Sequence, residues 1–273
     1  RVRPEVARLV GKDDLTVVAA ASHDTASAVA GIPAPEPQHL WVSCGTWPIM
    51  GDELPHPVLT DEARQAGFGN ELGVEGSVRF LKNISGLWII QECRRHWALE
   101  GDDLDFAALA ALAEEAEPFR AFIDPDDPPF AAPGDMPLKI QAFCERTGQK
   151  VPSTKGTLLR VATESLALKS RHVFEKVKAL SGRTFTRVHM GGGGIRNELL
   201  TQATADALGL EVLAGPVEAT SCGNLVTQMT ATGHLADVAA GRELVRRSLE
   251  IQSCLPHDPA TWAEAYRRFV EDL

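Results

Sequence analysis

The chain has 273 residues, 44% of them hydrophobic, enough to bury one large core or two moderate ones, which excludes a disordered polymer. Its formal charge of −10, from 37 acidic and 27 basic residues, argues against a nucleic-acid binder, whose footprint is a basic stripe. It leaves room for a phosphorylated ligand, because backbone amides hold phosphate without net positive charge.

In chain order, the apolar run Leu15 to Ala20 predicts a strand, and Thr25 to Val29 a short helix. HLWVSCGTWPIMG reads as strand, tight glycine turn and second strand, and Glu71 to Lys82 as partly extended. Gly86 to Leu99 predicts a helix, with Leu87, Ile90, Cys93, Arg94 and Trp97 spaced by threes and fours on a buried face. Residues 118 to 137 hold six prolines and several aspartates and read as an irregular surface loop. Leu159, Leu166, Val173, Val177 and Leu180 form one stripe of a long helix from Gly156 to Leu180. A strand ending at Met190, four glycines, a helix over Asn197 to Leu208 and a strand over Glu211 to Leu213 follow. PVEATSCGNLVTQMTATGHLAD supplies a loop and helix, and DPATWAEAYRRFVEDL a terminal helix. Strands separated by long helices indicate an α/β fold, with chemistry where loops leave the carboxyl ends of strands.

Cys44, Cys93, Cys144, Cys222 and Cys254 are odd in number and lack CxxC spacing, so reduced thiols are expected rather than a disulfide framework or zinc site. The basic start leads into no secretory segment, and no run of about 18 apolar residues occurs. A soluble, cytoplasmic protein without membrane contact is expected.

The sharpest local signal is HMGGGGIRNELL, residues 189 to 200. Glycines after a strand let the backbone turn tightly and approach a ligand without a Cβ, and the next helix directs amides toward it. Neither a dinucleotide fingerprint nor a GK[ST] phosphate loop is present. A tight turn packed under another backbone is the competing reading. In SCGTWPIMG, Gly45 could expose an amide and Thr46 a hydroxyl, or the segment is an ordinary hairpin. Asp24, in SHDTAS, is a candidate general base, metal ligand or helix cap, and His23 is either a core histidine or a ligand-orienting group. No further His, Asp or Glu with metal-ligand spacing accompanies them, so a protein-built metal centre is not expected. Asn83 and Gln91 either line one pocket or serve as a turn cap and a surface residue. Glu218, Thr220 and Asn224 flank the last small-residue turn.

SHDTASAV, SCGTWPIMG, RFLKNISGLWIIQECRR, AFCERTGQKVP, ESLALKSR, GGGGIRNELLTQATADALG and AGPVEATSCGNLV resemble, in order, motifs of the FGGY carbohydrate kinases. The likeness spans nearly the whole chain and is strongest to the branch acting on L-rhamnulose. It implies a ribonuclease H-like, actin-like ATPase fold, with ATP and sugar bound between two domains. On this likeness residues 15–273 are the second domain, and 1–14 are the connection from an N-terminal domain that completes the phosphate and sugar sites. Asp24 matches the catalytic base, and His23, Thr25 and Asn83 match sugar-site residues. Gly45, Thr46, Gln91, Gly192, Gly193 and Asn197 match the nucleotide site. The implied cofactors are ATP and Mg²⁺, and homo-oligomerisation is left open. The implied reaction is phosphorylation of the ketose 1-hydroxyl. The alternatives are a kinase for another ketose or polyol, of L-fuculose or xylulose type, and a stand-alone nucleotide-binding domain without kinase activity.

Overall fold

The computed structural model describes residues 2–12, 14–21, 23–34 and 39–273. Ser22, which opens the SHDTAS motif, and Arg1 and Asp13 of the N-terminal connection lie outside them. The elements in order are α1 (Pro4–Val10), α2 (Asp24–Ala30), β1 (Leu40–Ser43), β2 (Ile49–Leu54), α3 (Asp61–Gln65), β3 (Gly69–Leu72) and β4 (Val78–Asn83). Next come α4 (Leu87–Leu99), α5 (Phe106–Glu114), α6 (Met136–Arg146), α7 (Lys155–Ser181), β5 (Arg187–Gly191) and α8 (Glu198–Leu208). The chain closes with β6 (Glu211–Ala214), α9 (Ala219–Ala231), α10 (Val238–Ser248), β7 (Gln252–Cys254) and α11 (Pro259–Asp272).

The strands form one sheet in the order β3-β4-β2-β1-β5-β6-β7. Strand β2 runs antiparallel to both its neighbours, β4 and β1, and β1, β5 and β6 run parallel. This mixed order is the ribonuclease H-like pattern expected from the sequence. Alternation along β1 sends Leu40 and Val42 into the main core with α7 and α8, and Trp41 to the opposite face with Val29 of α2 and Ile32 just after it. Helices therefore cover both faces. Because β1, β5 and β6 are parallel, the loops after Ser43, Gly191 and Ala214 all leave the same end of the sheet. Capping fits the helix starts: Asn197, Asp237 and Asp258 each accept a backbone N–H at the head of α8, α10 and α11.

Three expectations are corrected. Residues 15–20 form no strand: the run is largely exposed and pairs with no strand of the described residues, so its apolar character reflects no sheet position. The proline-rich stretch from 118 to 137 is irregular but not superficial, since Ala121, Phe122, Ile123, Phe130 and Met136 are all buried. Its amides are satisfied by side chains from afar: Glu164 accepts from Phe119 N–H, Gln149 from Phe122 and Ser165 from Ile123. Arg94 also leaves the buried face of α4, and its guanidinium reaches Leu104 O and Asp103.

At the sheet end away from these loops lies a buried polar group. Asp52 pairs with Arg183 at 2.9 Å, and Glu53 meets His39 at 3.1 Å and Arg242. Burial pushes the Asp52 carboxyl up to about 6 against the pull of Arg183. For Glu53 burial works the same way, but His39 and Arg242 overcome it and hold the group at about 2.

The small residues around Asp24 have a packing role. Helices α2 and α9 cross at Gly31 and Gly223, so closely that a Cβ on Gly223 would lie 1.7 Å from the Ser27 carbonyl oxygen. A Cβ on Gly31 would lie 2.3 Å from Ala219 O. These contacts set the end of α2 against the start of α9, while His23 and Asp24 at the other end of α2 line one cleft with Glu218 and Thr220. Gly223→Ala gains helix propensity, but the overpacked crossing should cost about 1–3 kcal/mol net. A urea melt showing unchanged stability would contradict this packing account.

Candidate active site

The turn after β1 and the loop after β5 are stitched together. Cys44 N–H donates to Gly191 O at 2.7 Å, and Gly194 N–H donates to Cys44 O at 2.8 Å. The four glycines then divide by role. Gly192 has φ +99°, a conformation that side chains rarely adopt, and a Cβ there would meet Cys44 O at 2.9 Å. On Gly194 a Cβ would strike Cys44 Sγ at 2.3 Å, and on Gly191 it would press on Ala219 at 3.1 Å. Gly193 differs, because a Cβ there meets nothing within 4 Å. Packing thus accounts for three glycines, and only Gly193 presents a bare backbone to open space.

That space is a cleft of about 490 Å³. Its lining includes His23, Asp24 and Thr25 at the start of α2, Gly45, Thr46 and Trp47 after β1, Gly192 and Gly193 after β5, and Glu218 and Thr220 at the start of α9. A volume in this range suits a small-molecule ligand. Among the described residues, no backbone carbonyl accepts from the N–H groups of Gly45, Thr46 or Gly193. These amides are the donors a phosphate would use.

The structure makes Asp24 the first residue of α2, with His23 at the N-cap position but without a side-chain cap bond. The carboxylate Oδ1 accepts from the adjacent Thr25 N–H at 2.7 Å and lies 3.4 Å from His23 Nδ1. The Asp24 side chain is 79% exposed and that of His23 57%, so His23 is not a core histidine and both reach a ligand freely. Thr25 is buried beneath them. Cys44 is fully buried, and burial pushes its thiol up to about 12, so this cysteine packs the turn and offers no nucleophile.

The remaining expected site residues are placed differently. Asn83 ends β4 beside Ile49 of β2 and lines a second cleft with Trp47, Lys82, Ser85 and Asp126. Gln91 is half-buried on α4 and lines neither cleft, so the structure does not join it with Asn83 in one pocket. Asn197 caps α8 by accepting from Leu200 N–H at 3.0 Å and is not among the residues that line the cleft. Asn224 turns along α9 to Gln228. Sequence reasoning passed over Ser43, Trp47, Ile49 and Val217, which also line the Asp24 cleft. Of these only Trp47 carried a usable signal, as an aromatic inside a glycine-threonine turn.

Among the described residues no group of three or more His, Cys, Asp or Glu is arranged to hold a metal ion. None of their helices is long and apolar enough to cross a membrane. All five cysteines are free thiols, and four are buried.

Comparison with known proteins bears on this arrangement directly. Residues 40–232 match the model of the C-terminal domain of the FGGY family of carbohydrate kinases. The chain belongs to the FGGY carbohydrate kinase family. Within it, the chain is 44% identical over 265 residues to a rhamnulokinase of Bacteroides thetaiotaomicron, covering 97% of this chain and 54% of that protein. It is 42% identical over 260 residues to a rhamnulokinase of Enterococcus faecalis, covering 94% and 52%. The FGGY chain thus spans about half the length of the curated relatives it matches. A xylulose kinase structure from Rhodospirillum rubrum superposes with a TM-score of 0.70 at 20% identity, covering 99% of this chain and 54% of that one. At that identity the superposition speaks for the fold alone. It agrees with the actin-like α/β architecture expected from the sequence.

Proposed function

We propose that this FGGY chain is the nucleotide-binding, base-supplying C-terminal half of an ATP-dependent ketose kinase that converts L-rhamnulose to L-rhamnulose 1-phosphate in the cytoplasm. The supporting observation is the cleft itself, lined by the exposed Asp24 carboxylate together with the bare backbone of Gly193 and the Gly45–Thr46 turn. The rhamnulokinases it is similar to supply the choice of sugar.

On this reading Thr46, with the free amides of Gly45 and Gly193, cradles the ATP phosphates. Gly192 shapes the loop, and Gln91 and Asn197 stand at the outer end of the nucleotide. His23, Thr25 and Asn83 orient the sugar, and Asp24 takes the proton of its 1-hydroxyl as that oxygen attacks. Mg²⁺ suits the same cleft, where Asp24 and Glu218 are the carboxylates within reach of a phosphate-bound ion. Bound there, it would offset the charge of the transferring phosphoryl group. Residues 15–273 form the C-terminal kinase domain and 1–14 the connection to an N-terminal partner domain.

Gly193→Val tests the nucleotide assignment. The Cβ has open space around it, so the variant should fold with an unchanged melting temperature. The branched side chain should nevertheless displace the phosphates, weakening ADP by about tenfold or more, or roughly 1.4 kcal/mol. Unchanged ADP affinity by calorimetry in a folded variant would move the nucleotide elsewhere. To test the sugar, the complete gene product should be assayed with L-rhamnulose, L-fuculose and D-xylulose side by side. A clear preference for either of the latter two would reject L-rhamnulose.

A further inference from the structure

The cleft containing Asp24 and the cleft containing Asn83 have volumes of about 490 and 550 Å³, and one residue, Trp47, lines both. Trp47 is 45% exposed, whereas Trp41, Trp88, Trp97 and Trp262 are buried or half-buried. Its exposure does not come from a loose loop. Trp88 N–H donates to Thr46 O at 3.2 Å on one side, and Ile84 N–H donates to Pro48 O at 2.8 Å on the other. Pro48 is itself buried and wedged on Gly86, where a Cβ would come within 2.2 Å of the proline ring. A pinned backbone thus holds a large aromatic in the open, where leaving its apolar area in water forgoes the gain of burial.

We propose that Trp47 is the stacking platform for the sugar and helps set its specificity, an inference that rests on the ketose kinase reading above. Among the described residues Trp47 alone lines both clefts, so the indole stands where a molecule reaching from Asp24 to Asn83 would lie. A ketose suits that crossing. Its C–H faces lie flat on an aromatic ring while its hydroxyls reach the polar groups on either side, Asp24 and His23 in one cleft and Asn83 in the other. The nucleotide has no need to bridge the two clefts across Trp47, because Gly45, Thr46 and Gly193 line the Asp24 cleft and not the Asn83 cleft.

The test uses the complete gene product as wild type, Trp47→Phe and Trp47→Ala, with KM measured separately for L-rhamnulose and ATP. Removing the platform in W47A should raise the ketose KM about tenfold or more and leave the ATP KM within about twofold, while W47F, which keeps a flat ring, stays within about threefold on both. A purely structural role would not split the two constants. Tryptophan emission gives a second readout, independent of turnover: L-rhamnulose without nucleotide should shift the wild-type emission and leave that of W47F unmoved. An unchanged ketose KM in W47A would overturn the inference, as would emission that answers to ADP and not to the ketose, and active wild-type enzyme would leave the kinase reading standing in both cases. If the enzyme instead phosphorylates a different ketose, the proposed substrate is wrong, and the same split read with that sugar still decides for or against Trp47. Absence of turnover with every sugar would overturn both readings together.

Discussion

Asp24→Asn in the complete gene product is expected to lower turnover roughly 10²- to 10⁴-fold at saturating ketose and ATP, the usual cost of losing a general base. Asparagine keeps the size and the oxygen that accepts from Thr25 N–H at 2.7 Å, so the local geometry of α2 should survive. What it loses is the capacity to take the hydroxyl proton. ATP affinity should change little, because Thr46 and Gly193, to which the nucleotide is assigned, belong to other loops of the cleft than the substitution. If Asp24 only opened a helix, asparagine would serve nearly as well, and turnover and stability would both persist. Thermal melts run beside the assays separate the two cases. A variant that melts like wild type and keeps turnover within about threefold would remove Asp24 from the chemistry, since a loss that small is far below a general base's contribution.

Where periodicity and punctuation are local, the sequence carries the fold. The stripe through Leu159, Leu166, Val173 and Val177 lies on α7, and the strand, glycine turn, helix and strand after Arg187 all occur. Local pattern fails where the partner is remote. Residues 15–20 look like a strand by composition, but a strand needs a neighbour to bond with, and the described sheet offers none. The prolines of 118–137 correctly signal irregular backbone and say nothing of burial. Burial there depends on Glu164 and Ser165 of α7, more than forty residues away, reaching back to satisfy Phe119 and Ile123. The candidate site shows the same division. SHDTAS and the two glycine turns are visible in the sequence, and His23, Asp24 and Thr25 share one cleft with residues of both turns. No string of four glycines can say which are spacers beneath Cys44 and which faces a ligand. That distinction belongs to the register of β1 against β5, which sets Ser43 opposite Gly191 and brings Cys44 onto the loop. Gln91 and Asn83 illustrate the limit further, for eight residues of sequence separate them and a strand end and a helix turn divide them in space.

Residues 1–273 by themselves are expected to show negligible kinase activity with Mg²⁺-ATP and L-rhamnulose. The Asp24 side chain is 79% exposed and that of His23 57%, so the group assigned to proton transfer and a neighbour assigned to the sugar both stand largely in water. Phosphoryl transfer gains much of its rate from holding acceptor and donor in line and away from solvent, and effective molarities for well-oriented partners reach about 10⁵–10⁸ M. One wall of a cleft can bind a nucleotide but cannot impose that alignment. The chain's match to about half of each curated relative points to where the other wall comes from. The exposed apolar side chains of α1, Val6, Leu9 and Val10, lie on the segment assigned to the connection. ADP should therefore raise the melting temperature of the isolated chain, because the phosphate contacts assigned to Gly45, Thr46 and Gly193 all lie in the loops after β1 and β5, while ATP is not consumed above the buffer rate when ketose is added. Adding back the preceding part of the gene product, in cis, should restore turnover. Saturable ADP formation by the isolated chain would show that residues 1–273 assemble a competent site alone. Stabilisation by ADP with no turnover even in the complete gene product would instead favour a nucleotide-binding module over a kinase, because binding contacts would then exist without the alignment that makes them catalytic.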